Sequence, residues 1–468
     1  MNSSRRVMAQ SASRGANAVI WFVLLAVLIT MSTAAAAQSI EITDEVKASI
    51  RSRVDNGYNT GIIVGVVDQQ GTRIFGSGET EFGNGTTPDE NSVFEIGSIS
   101  KVFTSILLAD MVAGGEVALD DPIELYLPDG VTAPTRGERS ITLYDLATHT
   151  SGLPRMPDNF SPADATNPYA DYTVEQMYEF LDGHTLQRDI GSQYEYSNFG
   201  VGLLGNLLAN AAGTTYENLA NQRITSVLGM DDTSIELTPD QQRRLAKGHV
   251  GTMAVPNWDI PTLAGAGALR STTADMLTFI SANAGIEDTR LYAVLSSAHE
   301  PRELAGSPAM QIGLGWHIRS GEGVDVVWHN GGTGGYRSFV GFVQDGSTGV
   351  VVLTNSNRSA DDIGFHLLDQ GFPLGEVRAT VEVAADVLRR YVGEYELTPT
   401  LIFDVQLEGE QLIIGLTGQT RLPVYAESES QFFYTVVDAQ ITFEVDERGE
   451  VTALVLHQNG RDQRARRR

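Results

Sequence analysis

The sequence predicts an α/β domain whose sheet is assembled from its two ends, followed by a small antiparallel β-barrel. Three observations carry that reading. Strand-like runs lie at residues 61–75 and again at 324–354, with helix and loop between them. Near residue 380 the pattern changes to short, evenly spaced segments that alternate like half-buried strands, which is how a small antiparallel barrel reads. At 468 residues the chain exceeds the usual single domain and fits one large domain plus a smaller one.

Taken in order, the first 37 residues stand apart. Arg5, Arg6 and Arg14 precede a compact apolar run from Ala18 to Thr30, and Ala35-Ala36-Ala37 follows before Gln38. This is the plan of a cleaved signal peptide. Ser4-Arg5-Arg6 only faintly matches a twin-arginine signal. A retained anchor is the rival reading, but the run is short for a bilayer span. The expectation is therefore a periplasmic or secreted chain with no stable membrane span after cleavage. Glu41 to Val54 then reads as an amphipathic helix. Gly61 to Val67 and Thr72 to Phe75 read as two strands joined by a turn at Asp68-Gln69-Gln70-Gly71. From Ser98 to Val112, Ile99, Val102, Phe103, Ile106 and Leu107 recur at helical spacing, and Gly114-Gly115 ends the run. Strands return at Val324 to Trp328, Tyr336 to Val343 and Gly349 to Thr354, completing a domain over 38–378.

The second domain, 379–468, starts with a helix at Val383 to Tyr391. Strands are expected at Leu401 to Leu407, Gln411 to Leu416, Arg421 to Tyr425, Gln431 to Val436, Gln440 to Val445 and Val451 to His457. Glu408-Gly409 and Arg448-Gly449 supply turns. The last eight residues hold five arginines and read as a solvated tail. No solenoid repeat is present.

Composition excludes several functions. The formal charge is −27, or about −30 without the three signal arginines, which disfavours nucleic acid and anionic lipid as partners. There is no cysteine, so disulfides, thiol nucleophiles, thiolate metal sites and lipidation at Cys are excluded. No histidine cluster has metal-ligand spacing, and neither metal nor cofactor is expected. Lysine is the informative residue. Of the 32 basic residues only Lys47, Lys101 and Lys247 are lysines. A lysine kept against such a bias is a candidate for losing its proton near neutral pH, which arginine cannot do.

Lys101 lies in Ser98-Ile99-Ser100-Lys101 at the start of the predicted helix. Residues three apart share a helix face, so the amine can meet the Ser98 hydroxyl and act as its base once burial has removed its charge. The helix N-terminus adds free N–H groups and a positive dipole end. A second group is Tyr196-Ser197-Asn198. A phenol beside an ammonium can have its pKa lowered and relay a proton, and Asn198 offers a donor and an acceptor to a substrate amide. The third is His329-Asn330-Gly331-Gly332-Thr333-Gly334-Gly335, where glycines admit a substrate backbone and a free N–H can complete an oxyanion hole.

In this order the three groups resemble the serine β-lactamase and penicillin-binding-protein superfamily, specifically its class C-like branch. The likeness spans residues 45 to 370 and includes Ile141 to Leu153, the 265–275 segment and Gly313-Leu314-Gly315-Trp316. It implies an antiparallel sheet flanked by helices plus a helical subdomain. It further implies Ser98 as acylated nucleophile, Lys101 as proton acceptor, Tyr196 as shuttle and the N–H groups of Ser98 and Gly332 as oxyanion hole. Asn198, His329, Gly331 and Thr333 would bind substrate. His329 departs from the branch, whose β-lactamases carry lysine there, and a neutral imidazole grips a carboxylate less firmly. His149, beside Thr150-Ser151-Gly152, invites a Ser-His-Asp triad that this superfamily does not use, and it reads as structural. The segment from Tyr391-Val392-Gly393-Glu394-Tyr395 onward resembles a lipocalin-like extension. The expected activity is hydrolysis of amide bonds in short, D-residue-containing peptides. Carboxylesterase, β-lactamase and non-catalytic binding protein are the alternatives, and the oligomeric state is left open.

Overall fold

The computed structural model describes residues 40–468 apart from 321–322, 379, 410, 419–420, 435–438 and 459–460. The expected signal segment 1–37 lies outside them, as do the last two residues of the expected strand 431–436. Helix α1 (Asp44–Asp55) is capped by Thr43, whose side chain accepts the Val46 N–H. Strands β1 (Gly61–Asp68) and β2 (Gly71–Gly78) form the expected hairpin. Every residue of β1 is buried. Ile62, Val64 and Val66 join one core with α1, whereas Ile63 and Val67 join another on the opposite face. A strand covered on both faces needs the continuous apolar run that this one shows.

Strand β3 (Val93–Glu95) leads through a tight turn at Gly97–Ile99 into α2 (Ser100–Ala113). The middle of the chain supplies α3 (Leu143–Ala147), α4 (Val174–Gly183) and α5 (Asn198–Ala211), then β4 (Arg270–Thr272), which pairs with β3. Helices α6 (Thr273–Ala284) and α7 (Tyr292–Ala298) follow. Strands β5 (Glu303–Ser307), β6 (Met310–Ile312) and β7 (His317–Arg319) come next, then β8 (Val326–Gly332), β9 (Arg337–Val343) and β10 (Thr348–Thr354).

The sheet runs β2-β1-β10-β9-β8-β7-β6-β5, with all neighbours antiparallel. β1 pairs with β10 from Ile62↔Thr354 to Asp68↔Thr348, so the two ends of the domain meet as expected. Helix α6 crosses one face where β1 carries Gly65. A Cβ there would sit 2.7 Å from Leu277 Cδ1, so the bare backbone is what admits the helix. On the other face α1 is joined by α8 (Asp361–Leu368).

Helix α9 (Ala385–Tyr391) precedes a closed barrel. Its strands are β11 (Gly393–Thr398), β12 (Leu401–Glu408), β13 (Gln411–Leu416), β14 (Leu422–Ala426), β15 (Gln431–Tyr434), β16 (Ala439–Val445), β17 (Val451–Gln458) and β18 (Arg461–Arg467). The arginine-rich end is thus a strand, correcting the expected solvated tail. It pairs with β17 and with β11 and closes the barrel. Only Ala465 points to the core, and Arg464 pairs with Glu444 of β16 at 2.6 Å, so the sequence showed charge where an alternating strand was present. Sheet domain and barrel belong to one compact unit, joined by the Arg378–Glu427 pair at 2.9 Å and by Tyr58 stacked on Phe433. No helix among the described residues is long and apolar enough to cross a membrane.

Candidate active site

The site forms where α2 starts, against the end of β8. Gly97 has φ +50°, and a Cβ there would lie 2.6 Å from the Gly332 nitrogen. A Cβ on Gly331 would lie 2.0 Å from the Ile96 carbonyl oxygen. Only glycine lets the two backbones approach so closely, and the approach sets the N–H-bearing segments at Ser98 and Gly332 side by side.

Ser98 is half-buried and Lys101 fully buried. Lys101 Nζ is 3.0 Å from Ser98 Oγ and donates to the Ala266 carbonyl at 2.7 Å. No carboxylate pairs with it among the described residues. Burial, helped by the positive charge of Arg155, holds its pKa well below the usual lysine range. The amine is therefore disposed to be neutral, with a lone pair for the serine proton.

Tyr196 reaches the same point. Its ring centroid is 4.9 Å from Lys101 Nζ, and its hydroxyl engages Ser98. Its pKa corrects the expectation that an ammonium would lower it. Burial pushes it up to about 12, only partly offset by Ser98 and Arg155. With Lys101 itself driven toward neutrality, there is no full ammonium to lower the phenol. His149 packs its ring 4.6 Å from the Tyr196 ring and accepts the Ser197 N–H on Nδ1 at 3.1 Å. It holds the segment carrying the phenol, and its φ of +60° places it there.

Asn198 starts α5 and donates from Nδ2 toward the Tyr169 hydroxyl at 3.4 Å. Gly331 and Gly332 end β8, which runs four residues past the expected strand end at Trp328. His329 is placed differently from an exposed anchor. It is 1% exposed, its ring lies near Tyr196 and His317, and Nδ1 is bonded to the Asn330 carbonyl at 2.6 Å. Burial and the neighbouring His317 and Lys101 hold its pKa well down, so the ring is neutral. Thr333 is also buried, its hydroxyl turned to Glu95.

Sequence reasoning missed four surrounding residues. The Arg155 guanidinium lies 5.0 Å from the Tyr196 ring centroid. Tyr169 packs 5.3 Å from Trp258, and the Trp258 N–H donates to buried Glu95 at 2.9 Å. Glu95, three residues before the serine, thereby ties the 257–258 segment to β3. An acid inside a buried strand was the only available signal, because its partners lie about 160 residues away in sequence. No group of three or more histidines and carboxylates that could hold a metal occurs among the described residues.

A half-buried serine at a helix start, with a buried lysine amine 3.0 Å from its hydroxyl, is an arrangement able to support acyl transfer. A family model described as Beta-lactamase matches residues 46–368. The chain is 34% identical over 316 residues to the D-alanyl-D-alanine-carboxypeptidase/endopeptidase AmpH of Escherichia coli (strain K12), covering 64% of this chain and 80% of that one. It is 26% identical over 407 residues to Penicillin-binding protein 4* of Bacillus subtilis (strain 168), covering 80% and 87%. Among solved structures, a Beta-lactamase/D-alanine Carboxypeptidase from Yersinia pestis complexed with citrate has a TM-score of 0.59 at 25% identity, covering 67% of this chain and 94% of the other. The chain belongs to the beta-lactamase family and is a serine hydrolase. Residues 377–467 match a second family model, described as Domain of unknown function (DUF3471).

Proposed function

We propose that the chain is an exported hydrolase that cleaves amide bonds of short peptides, including peptides with D-residues, through an acyl-enzyme on Ser98. The observation that carries the reading is the buried Lys101 amine 3.0 Å from Ser98 Oγ. Lys101 takes the hydroxyl proton as Oγ attacks the carbonyl, and the N–H groups of Ser98 and Gly332 hold the resulting oxyanion. Tyr196, a phenol at neutral pH, passes a proton to the leaving amine as the C–N bond breaks. Water then attacks the ester, its proton returns through the same pair, and the acid leaves. Asn198 and Gly331 meet the substrate backbone, while buried His329 and Thr333 support the β8 edge to which it adds. Residues 1–37 direct the chain to the periplasm or outside the cell, ahead of a hydrolase domain at 38–378 and a barrel domain at 379–468.

Peptide amides are preferred because AmpH, a relative, is named as a D-alanyl-D-alanine carboxypeptidase and endopeptidase. A carboxylesterase is the second reading, favoured by the neutral, buried His329, which offers no charge to a substrate carboxylate. Turnover of D-amino-acid peptide amides against p-nitrophenyl esters separates the two. The peptidase reading expects the larger kcat/KM on the peptides, and markedly faster ester cleavage contradicts it.

A further inference from the structure

Between the sheet domain and the barrel lies a cavity of about 500 Å³. Four arginines line it. Arg53 is paired with Asp362 at 2.5 Å and Arg378 with Glu427 at 2.9 Å. Arg337 and Arg358 have no ion-pair partner among the described residues, in a chain with 59 acidic and 32 basic side chains. Such an acidic chain has carboxylates to spare, so two half-buried guanidiniums left without one call for an explanation. A desolvated charge is costly unless something pairs with it.

Both guanidiniums are fixed in place. Arg337 stands opposite Gly332 in the β8–β9 register. Its Nη1 donates to the carbonyls of Thr333 and Tyr336 at 2.8 Å each, and Nε and Nη2 have no hydrogen-bond acceptor among the described residues. Arg358 lies over the Tyr58 ring at 3.9 Å from its centroid, and Tyr58 stacks at 5.9 Å on Phe433 of β15. Tyr58 covers the face of that guanidinium and its hydroxyl also engages it, while no carboxylate among the described residues pairs with its N–H groups. Of the acids nearby among the described residues, one is already hydrogen-bonded and one is exposed. Asp361, close to Arg337, accepts from Asn330 Nδ2 at 2.6 Å, and Glu376 sits exposed at the rim. Phe433 and Tyr434 give the wall its aromatic part, beside the polar Asn357, Ser359 and Gln440.

We propose that this cavity is a carboxylate-binding site for a small organic acid or peptide terminus with an aromatic or apolar body. Arg358 and Arg337 take the carboxylate, since a planar guanidinium fork matches it with two parallel hydrogen bonds. Tyr58, Phe433 and Tyr434 take the body. Phe433 and Tyr434 come from barrel strand β15, which gives that domain a ligand-binding role. The inference does not rest on the acyl-enzyme reading.

Calorimetric titration of the full chain with N-acetyl-phenylalanine and with its primary amide tests it. The acid is expected to bind at one site, with the amide and the Arg358→Gln variant each about tenfold weaker or worse, the loss typical of a missing charge-assisted bond. Arg358→Lys keeps the charge and is expected to fall between. Competition against a hydrolysed peptide identifies the source of the carboxylate. Competitive behaviour that Arg358→Gln abolishes makes the cavity part of the substrate cleft, and simultaneous binding makes it a separate acid site; both support the proposal. Equal affinity for acid and amide, no binding at millimolar acid, or unchanged affinity in a folded Arg358→Gln protein overturns it. Should that variant fail to fold, the acid-to-amide comparison on the unmodified chain decides.

Discussion

Lys101 is held at low pKa by burial and by the charge of Arg155, while Tyr196 is held high, about 12, by its own burial. The two shifts work in the same direction for acyl transfer, leaving a free base and an undissociated acid at one serine. For Lys101 a folded pKa below the unfolded value means that folding releases a proton. Its burial therefore opposes stability at pH values below the ordinary lysine pKa, and the penalty fades as pH rises toward it. Activity follows the same proton. The kcat/KM profile is expected to rise along an acid limb as Lys101 loses its charge, then stay level until the phenol ionises near 12. A decline beginning near neutral pH would contradict these assignments. Lys101→Arg, which cannot give up its proton, is expected to lower kcat by about two to four orders of magnitude, the usual contribution of a positioned base, with substrate affinity changed much less. Steady-state kinetics on the purified variant checks it.

Elements position these residues more strictly than the residues position each other. The turn at Gly97–Ile99 and the end of β8 touch backbone to backbone, so Gly97→Ala meets both a left-handed φ and a Cβ 2.6 Å from the Gly332 nitrogen. Strain of about 1–3 kcal/mol is expected for a side chain in that conformation, seen as a lowered melting temperature with a larger loss of kcat. Retention of full kcat would show that the approach of the two backbones is not needed. Strand β18 is the other decisive element. Removing 461–468 leaves β11 and β17 as open edges, which invite pairing with other chains. Aggregation on light scattering is the expected outcome, and a monodisperse, equally stable protein would refute the closing role.

Much of this was readable in the residues and some was not, for physical reasons. Strand β1 announced itself by a continuous apolar run, and α2 by its 3.6-residue period. Strands β5 to β7 are short, partly exposed and polar, so neither pattern appears. In β18 only Ala465 is buried, while Arg464 faces an ion partner and Arg467 a backbone carbonyl, which conceals a strand inside a run of charge. At the site, Ser98, Lys101, Tyr196 and Gly332 sit in local motifs. Glu95, Arg155, Tyr169 and Trp258 matter through contacts distant in sequence, and nothing beside them in the chain marks those contacts.

At the scale of the whole molecule, the sheet is closed by its own chain ends, and the barrel is joined to it through Tyr58, Phe433 and the Arg378–Glu427 pair. This arrangement sets the Gly97–Ile99 turn against the end of β8, so the proposed nucleophile Ser98 is expected to react only in the folded chain. Intact-mass measurement after exposure to a fluorophosphonate tests that claim most directly. One adduct per folded chain is expected, mapping by peptide fragmentation to Ser98 and absent from both Ser98→Ala and the unfolded protein. An unlabelled folded chain, or an adduct on another residue, would contradict the assignment of Ser98 as the nucleophile.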